Sequence, residues 1–573
     1  MTKEIERKIL ELSQHYPERA SAIMPALDLA QRANENYLPP AEVKQVANLL
    51  KITESQAYGV ATYYTLYHTK PVGKYHLQVD TNIPGFLAGA NEILAHLEER
   101  LDVNAGETTK DGMFTLTAVE DLGSCGTCPV VQVNDIYYEN MTIAKVDALI
   151  DALTQGVMPE PDRTMNFYSE CQILLKNRGK PNAREIAVYK DGGGYRGLAK
   201  ALAMEPKQIV TEVKESLLRG RGGAGFPTGV KWGFLPKNDP RPIYLICNAD
   251  EGEPGTFKDR QIMEYDPHLL IEGIAIAAHA IGAKKAFIYI RGEFRWIADI
   301  LEHAIQQAKA DDQLQHVDIV VHRGAGSYVC GDETALMESL EGKRGNPRVK
   351  PPFPANIGLY GCPTIINNVE TLACIPSIVE QGAAAFKQIG TLGNSGPKLY
   401  GVSGHVKKPG MYEFPLGTLL TTILDAAGGV EGTLKGVIVG GLSVPILKAD
   451  EINDLKMDYD GCLKAGTMLG SGGIMVMNAT VSIPQLALRT IQFYAHESCG
   501  QCTPCREGSQ TIAALLQKLL KGRGAVQDID LILDLCRRII GLTLCPTGDA
   551  FSMPIRAMIT KFRDEFEALV KTR

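Results

Sequence analysis

Four cysteines near the C-terminus constrain this chain more than any other feature of its sequence. Cys499, Cys502 and Cys505 follow one another at two-residue spacing, and Cys545 lies 40 residues after Cys505. Three closely spaced thiolates with a distant fourth are typical of a 4Fe–4S cluster bound by four cysteines. A structural zinc site is the alternative, although zinc motifs usually pair two C-x2-C units. The spacing therefore favours a 4Fe–4S cluster in this part of the chain.

Length and charge limit the remaining possibilities. The chain has 573 residues, enough for three to five domains, and a net charge of −7 that gives no basic surface for nucleic acid or anionic lipid. The first eight residues lack the apolar core of a signal peptide, and the longest apolar run, 269–283, is too short to span a bilayer. An odd number of cysteines, 13, suits a reducing compartment. We expect a soluble, cytoplasmic protein.

The residue pattern changes several times along the chain. A helical pattern up to about residue 75 is followed by alternating strand and helix patterns over 74–155, which predict a small α/β domain. A linker over 156–162 precedes a mixed α/β stretch, then a β-rich stretch with glycine turns over 398–480. From residue 484 the pattern is helical, and its apolar stripe is typical of a helical bundle core.

A glycine-rich loop, 220–229, is the second strong signal. It contains G-x-G-x-x-G, but a helical pattern precedes it and Phe226-Pro227 follows, whereas the Rossmann fingerprint follows a strand and opens a helix. So many glycines indicate a backbone that approaches a ligand closely, with amides free to face phosphate and Lys231 available to neutralise charge. A flexible surface loop is the alternative interpretation.

Three further polar segments accompany the glycine loop. Residues 248–260, rich in acidic and amide side chains, follow an apolar strand pattern, and 324–334 form a glycine-punctuated loop that opens a helix. Residues 363–371 contain two successive asparagines and a threonine. Taken alone, the first of these segments could equally be an acidic turn or a metal site.

Together with the cysteine quartet, these four segments resemble the flavin-bearing, NADH-binding subunit of respiratory complex I. They are equally similar to its relatives in NAD-linked hydrogenases, formate dehydrogenases and electron-bifurcating enzymes. The resemblance covers residues 165–573. It implies an α/β multidomain fold with an FMN- and NADH-binding α/β domain at 165–394, a ubiquitin-like β-grasp domain at 395–482, and a helical bundle with the 4Fe–4S cluster at 483–573.

The resemblance also implies roles for individual residues. Glu253 and Glu333 would position the nicotinamide without acid–base chemistry, and Asp332 departs from a glutamate that is frequent in the family. The implied FMN contacts are Gly220, Arg221, Gly222, Gly223, Lys231, Asn248, Asp250, Glu251, Tyr328, Gly331, Glu333, Asn367, Asn368 and Thr371. The implied NADH contacts are Phe226, Phe234, Glu253, Lys350 and Phe353, and the implied cluster ligands are Cys499, Cys502, Cys505 and Cys545.

Residues 1–158 resemble the small thioredoxin-like subunit that normally accompanies this flavoprotein and carries a 2Fe–2S cluster. The cysteine ligands of that family align with Asp80, Gly85, Asp121 and Cys125, so one thiolate remains. Carboxylates are harder donors than this cluster prefers, and glycine offers no ligand. We therefore expect no 2Fe–2S cluster here and a structural role for the domain. Cys128, which forms a C-x-x-C with Cys125, leaves dithiol chemistry as the alternative.

The sequence thus predicts a diaphorase subunit that transfers a hydride reversibly between NAD(H) and FMN and then passes single electrons through the 4Fe–4S cluster. Its partners would be iron–sulfur subunits of a larger soluble complex, such as a hydrogenase or formate dehydrogenase, because the two modules are fused and the first is degenerate. Two alternatives remain: the NADH-input subunit of complex I and a non-catalytic scaffold that binds no nucleotide.

Overall fold

A four-stranded parallel sheet carries the candidate site in the computed structural model, which describes residues 1–570. Each strand is parallel to its neighbours, and side chains of both faces are buried, as expected when helices cover both sides of a parallel sheet. In spatial order the strands are Asp318–Arg323, Lys285–Ile290, Tyr244–Ala249 and Thr364–Asn368.

Helices from the same part of the chain cover one face of this sheet. Leu245, Cys247 and Ile288 pack there against Pro267–Ile281, a helix that begins with proline in its first turn and ends before Gly282 at φ 77°. The helices of this region are Ile186–Asp191, Arg196–Leu202, Pro206–Glu215, Thr228–Trp232, Lys258–Tyr265, Pro267–Ile281, Arg295–Ala310, Glu333–Leu340, Val369–Ala373, Ile375–Gln381 and Ala383–Phe386.

The first four helices of the chain cover the opposite face. Ile246 and Phe287 of the sheet share a core with Ile23 and Leu27, so this N-terminal segment packs as a layer against the parallel sheet. These helices are Lys3–Ser13, Ile23–Ala33, Pro40–Leu50 and Glu54–Ala61. Short 3-10 turns of the chain are Arg19–Ala22, Cys125–Thr127, Tyr328–Gly331, Leu359–Gly361 and Ala449–Glu451.

A second four-stranded sheet lies in the segment with the thioredoxin-like resemblance. The first two strands pair in parallel, and the last two add antiparallel partners. In chain order the strands are Tyr75–Asp80, Phe114–Val119, Val131–Val133 and Ile136–Tyr138, and the helices are Ile83–Leu87, Ala90–Leu101 and Ile143–Thr154. The strand and helix patterns predicted for 74–155 are confirmed.

The β-rich stretch forms a mixed six-stranded sheet. Its edge strand, Asn166–Ser169, comes from the chain that follows the linker and pairs in parallel with Gly410–Pro415. In spatial order the strands are Leu447–Lys448, Leu434–Ile438, Gly473–Asn478, Pro397–Gly404, Gly410–Pro415 and Asn166–Ser169. Helices Leu420–Ala426 and Tyr459–Lys464 belong to this region, and a small hairpin, Gly390–Thr391 with Asn394–Ser395, precedes it.

The C-terminal region is a helical bundle. Ile512, Leu516 and Leu519 of the predicted apolar stripe are fully buried in its core. The helices are Ile483–Glu497, Thr503–Leu520, Val526–Ile539, Thr547–Lys561 and Arg563–Glu567. Within residues 1–570 no helix combines the length and apolar character needed to cross a membrane.

Candidate functional site

The glycine loop lies at the carboxyl edge of the parallel sheet, where two strand ends bring Asn248 opposite Asn368. A side chain on Gly222 would contact Asn368, so the loop backbone runs directly over that edge. Within the described chain, the backbone N–H groups of residues 222–226 make no well-formed hydrogen bond to protein. Such a row of free amides fits a phosphate group.

Arg221 fixes the loop through its backbone and its side chain. The backbone N–H of Arg221 donates to the Thr371 hydroxyl over 2.8 Å, and the Arg221 side chain is completely buried. Its Nη2 donates to the carbonyl of Ser395, whereas Nε and Nη1 have no hydrogen-bond partner among the described residues. A buried guanidinium with free donors suits an anionic ligand, so this loop fits FMN.

The acidic loop that follows strand Tyr244–Ala249 divides into ligand-facing and structural side chains. Asn248 donates to the carbonyl of Gly331, and Asp250 keeps one buried carboxylate oxygen without a partner. Burial raises the pKa of Asp250 well above its usual range. Glu251 instead accepts the backbone N–H groups of Asp259 and Arg260, so its carboxylate caps helix Lys258–Tyr265.

The predicted phosphate contacts also hold one another. The Asn367 carbonyl oxygen accepts the indole N–H of Trp232 over 2.8 Å. Asn368 donates to Asp259 over 2.6 Å and accepts from Lys258 over 3.2 Å. These side chains therefore shape the floor under the glycine loop, and direct contact with phosphate stays a prediction.

A buried ion network beneath the loop was not predicted. Lys258 pairs with Asp259 at 2.7 Å and with Glu370 at 3.0 Å, and Lys398 pairs with Glu370 at 2.8 Å. Burial lowers the pKa of Lys398 to about 8, against the opposing effect of Glu370. Lys258, Asp259 and Glu370 occur within the polar segments, but only the fold reveals that Lys398 joins them.

Glu253 joins the acidic loop to two other regions. Its carboxylate accepts the Tyr328 hydroxyl over 2.7 Å and the backbone N–H of Ser443 over 2.7 Å. Burial raises the pKa of Glu253, and these hydrogen bonds oppose the rise. The backbone N–H of Tyr328 donates to Glu497, which lies just before the cysteine loop.

Glu333 lies between two lysines. Its carboxylate pairs with Lys231 at 3.2 Å and with Lys350 at 2.9 Å. Burial would raise the pKa of Glu333, but the two ammonium groups outweigh it and lower the value. Asp332, the departure from the family pattern, caps helix Glu333–Leu340 by accepting from Thr334 and Ala335.

The three aromatic candidates for an adenine wall are all exposed. Phe226 and Phe234 have ring centroids 5.9 Å apart, and the Phe353 ring is also largely open to solvent. An exposed aromatic pair beside a glycine loop could stack on a flat base. The structure brings Phe226 and Phe234 together, and a nucleotide-binding role for all three stays a prediction.

The four cysteines of the C-terminal quartet are free, and the two segments that carry them are in contact, because the backbone N–H of Leu544 donates to the Cys502 sulfur over 3.3 Å. Burial raises the pKa of Cys499, Cys505 and Cys545, and neighbouring thiols of the quartet add to each rise. Among residues 1–570 no three of these sulfur atoms lie within 4.8 Å of one another. A zinc ion at about 2.3 Å from each would need sulfurs only about 3.8 Å apart. The binding of a 4Fe–4S cluster by these four cysteines stays a prediction.

The ligand positions of the thioredoxin-like family lie together in the structure. Asn82 donates to Asp80 over 3.3 Å, to Asp121 over 2.7 Å and to the Cys125 sulfur over 3.3 Å. The Cys128 thiol donates to the backbone carbonyl of Ser124 over 3.7 Å, and its pKa is raised by burial and then by Asp80 and Cys125. Gly85, the fourth aligned position, lies in helix Ile83–Leu87 beside the Asp80 carbonyl.

Four family models match the chain in order. They are Thioredoxin-like [2Fe-2S] ferredoxin over residues 9–154, Nuo51 FMN-binding domain over 213–377, SLBB domain over 399–441, and NADH-ubiquinone oxidoreductase-F iron-sulfur binding region over 485–569. The three last matches contain the glycine loop, part of the β-rich sheet and the cysteine quartet, respectively.

Curated relatives agree with these matches. An F-type subunit of the NADH-quinone oxidoreductase of Rhizobium meliloti is 50% identical over 413 residues, which cover 70% of this chain and 98% of the relative. The chain belongs to the family of NADH-quinone oxidoreductase F-type subunits. The corresponding protein of Mycobacterium tuberculosis is 46% identical over 416 residues, covering 70% of this chain and 93% of that protein.

Among solved structures, an NAD+-reducing [NiFe]-hydrogenase in the air-oxidized state contains a similar chain. The two chains are 32% identical with a TM-score of 0.86, and the match covers 97% of this chain and 95% of the other. Together with the family matches, this likeness confirms the multidomain α/β fold and the predicted class of NADH-, FMN- and 4Fe–4S-dependent electron-transfer subunit.

The prediction that residues 1–158 carry no 2Fe–2S cluster is wrong, because residues 9–154 match the thioredoxin-like [2Fe-2S] ferredoxin family. That prediction counted thiols at four aligned positions only. The fold places the Asp80 and Asp121 carboxylates and the Cys125 thiol in one buried group around Asn82, an arrangement that positions in the sequence did not reveal.

Proposed function

We propose that this chain is the diaphorase subunit of a hydrogenase-like, multi-subunit oxidoreductase. The proposal rests on how much of this chain and of each relative the matches cover. The curated NADH-quinone oxidoreductase relatives are matched almost completely, yet they leave about 30% of this chain unmatched. The hydrogenase chain matches along nearly the whole length of both proteins. The combination of modules in this chain is therefore that of the hydrogenase chain.

Membership of a complex I is the second candidate, favoured by the names of the curated relatives. Co-purification decides between the two. A complex with soluble iron–sulfur and hydrogenase-type or dehydrogenase-type subunits supports the first proposal, and a complex with membrane subunits supports the second. Thirteen free cysteines suit the cytoplasmic location that we propose for either assembly.

The glycine loop, Arg221 and Lys231 would hold the phosphate side of FMN, and Asn248 and Asp250 would hold its polar ring or ribityl edge. Free backbone amides at 222–226 and the free donors of Arg221 support this assignment. Bound FMN supplies the conversion between a two-electron hydride and single electrons. The protein contributes orientation and a fixed electrostatic environment.

For NADH we propose that Glu253 and Glu333 position the nicotinamide end, with Lys350 and the exposed phenylalanines on the outer part. Glu253 is fixed by hydrogen bonds from two regions, and Glu333 by two lysines. Groups held in this way need little rearrangement when a ligand binds. We propose Cys499, Cys502, Cys505 and Cys545 as the ligands of the 4Fe–4S cluster.

The domain boundaries 1–158, 165–394, 395–482 and 483–573 also remain proposals, as does a ubiquitin-like β-grasp fold for the third domain. The mixed sheet with a helix packed on it supports that fold assignment. The first four helices share a core with the parallel sheet, so the first two proposed domains would pack against each other.

Glu253→Gln tests the proposed site most directly. The amide keeps the shape but changes the charge and one hydrogen bond, so we expect the KM for NADH to rise about fivefold to tenfold. Flavin content should stay near that of the wild type. The measurements are NADH oxidation with ferricyanide as acceptor and FMN released per chain.

Glu272→Gln is the matched control. Glu272 likewise accepts a tyrosine hydroxyl, from Tyr189, and the backbone N–H groups of Tyr195 and Leu198. We expect its substitution to lower stability without changing the KM. If Glu253→Gln loses FMN while its KM for NADH is unchanged, Glu253 binds the flavin and not the nicotinamide. Wild-type protein that contains FMN but does not oxidise NADH would refute the proposed function.

A further inference from the structure

Two loops from different domains meet beside the candidate NADH site. One contains residues 121–128 of the thioredoxin-like region, and the other is the acidic loop, 250–257, of the flavin-side domain. Arg291 lies between them at the end of strand Lys285–Ile290 and is almost completely buried. None of the roles proposed above uses this residue.

Arg291 hydrogen-bonds to both loops at once. Its Nη1 donates to the Asp121 carboxylate over 2.8 Å and to the backbone carbonyl of Glu251 over 2.7 Å. Its Nη2 donates to the backbone carbonyl of Asp121 over 2.9 Å. Glu293 supports the other edge of the guanidinium at 3.2–3.3 Å. The guanidinium thereby fixes the distance between the two backbones.

Further contacts join the acidic loop to the loop at 121–128. The backbone N–H of Gly255 donates to the Cys125 sulfur over 3.3 Å, and the Phe257 ring lies against Gly126 so closely that a side chain there would collide with it. A cavity of about 330 Å³ lies beside the Arg291 guanidinium and is lined by Asp121, Asp250 and Arg291 itself. Hydrogen bonds, more than apolar packing, therefore hold the Glu251 end of the loop.

We propose that Arg291 is a positioning residue for the NADH site, because it holds the backbone two residues before Glu253 against the thioredoxin-like domain. This inference rests on the proposed function. A planar guanidinium can bond both backbones simultaneously, whereas a lysine ammonium cannot reproduce that geometry. The thioredoxin-like domain thereby contributes to NADH binding through Asp121 without touching the nucleotide.

Arg291→Lys and Asp121→Asn test the proposal from both sides of the link. Arg295→Lys is the matched control, because Arg295 also joins the flavin-side domain to the N-terminal segment, through Asp28 at 2.9 Å, but makes no hydrogen bond to the acidic loop. The measurements, made on the full-length protein saturated with FMN, are hydrogen exchange of peptides covering 250–257, steady-state NADH oxidation and melting temperature.

We expect Arg291→Lys and Asp121→Asn to speed exchange in 250–257 and to lower kcat/KM for NADH about tenfold, mainly through KM. The double variant should be little worse than either single variant, because both break the same link. Unchanged exchange, an equal effect of Arg295→Lys, or faster exchange without a kinetic change would each overturn the proposal. If wild-type protein fails to oxidise NADH, the proposed function fails, and this positioning role fails with it whatever the exchange shows.

Discussion

The cysteine loops and the flavin-side loops differ in how their candidate ligands are held. Leu544 N–H, Ser498 and Thr547 contact three of the quartet sulfurs at 3.2–3.3 Å, and no charged side chain pairs with any of the four among residues 1–570. On the flavin side, by contrast, Glu253 and Glu333 each have two strong partners.

This difference follows from the ligands. The proposed cluster would bind thiolates directly, so the sulfurs must stay available, and burial raises the pKa of three of these thiols, which iron would deprotonate on binding. A flavin and a nucleotide are bound through weaker hydrogen bonds, which require groups already fixed in place. We therefore expect cysteine substitutions to remove a cofactor completely and flavin-side substitutions to change affinities by degrees.

Cys545→Ser should give the largest effect. Loss of one thiolate should remove or convert the cluster and slow electron delivery to the partner subunit by about a hundredfold or more, if this cluster is the route by which electrons leave the flavin. NADH oxidation with ferricyanide should remain at least in part. Iron and acid-labile sulfide content, electron paramagnetic resonance and partner reduction are the measurements.

Cys536→Ser is the control for this substitution. Cys536 is a fully buried cysteine in the same bundle but outside the quartet, so its substitution should lower the melting temperature and leave iron content unchanged. If partner reduction survives cluster loss in Cys545→Ser, electrons leave the protein by another route.

Gly223→Ala should have an intermediate effect. Gly223 has φ 136°, and a side chain there would meet no protein atom within 4 Å, so an added methyl group would extend into the open space where we propose that FMN binds. We expect the dissociation constant for FMN to rise about tenfold. Flavin fluorescence during dilution of the purified protein measures this constant.

Backbone strain alone must be separated from that steric effect. Gly466→Ala provides the comparison, because Gly466 has φ 76° and equally open surroundings but lies in the β-rich domain. It should lower the free energy of unfolding by about 1–2 kcal/mol without changing FMN affinity. Equal FMN affinity in the two variants would show that the loop does not contact the flavin.

The same contrast explains what the sequence could predict. The cysteine quartet and the glycine loop are local patterns, so their spacing indicated a cluster and a close backbone approach before any fold was known. The partner of Glu251 was not predictable, because its carboxylate turns to the start of a helix eight residues later. Lys398 and Glu370 meet only through tertiary packing. The first four helices likewise reach the sheet that they cover only through tertiary packing.

The N-terminal region shows the limit of counting residues. Four aligned positions with one cysteine predicted a domain without a cluster, whereas the whole segment matches a [2Fe-2S] ferredoxin family. Membership of a family depends on the pattern of an entire fold, including buried apolar positions such as Leu77 and Val79, and not only on its ligand positions. A motif count examines a small part of that pattern.

Glu251→Gln should have the smallest effect on the cofactor sites. If the carboxylate only caps helix Lys258–Tyr265, FMN affinity and the KM for NADH should change by less than about twofold. An amide cannot accept both backbone N–H groups, so the free energy of unfolding should fall by about 1 kcal/mol. A tenfold loss of FMN affinity would instead assign Glu251 to the flavin.

The pH dependence of stability gives an independent test of the same residue. Burial, and then the Asp259 carboxylate, raise the pKa of Glu251 to about 8 from 4.5. The folded state then binds more protons than the unfolded state across this interval, so stability falls as the pH rises from about 4.5 to 8. Glu251→Gln should flatten that decline, as measured by urea unfolding at several pH values.

Glu413→Gln is the control, because Glu413 also accepts backbone N–H groups while buried, but at Ile173, Leu174 and Leu175, away from the site. Glu413→Gln should reduce stability without changing FMN affinity or the KM for NADH. If stability falls with pH as steeply in Glu251→Gln as in the wild type, the Glu251 carboxylate is ionised throughout this pH interval.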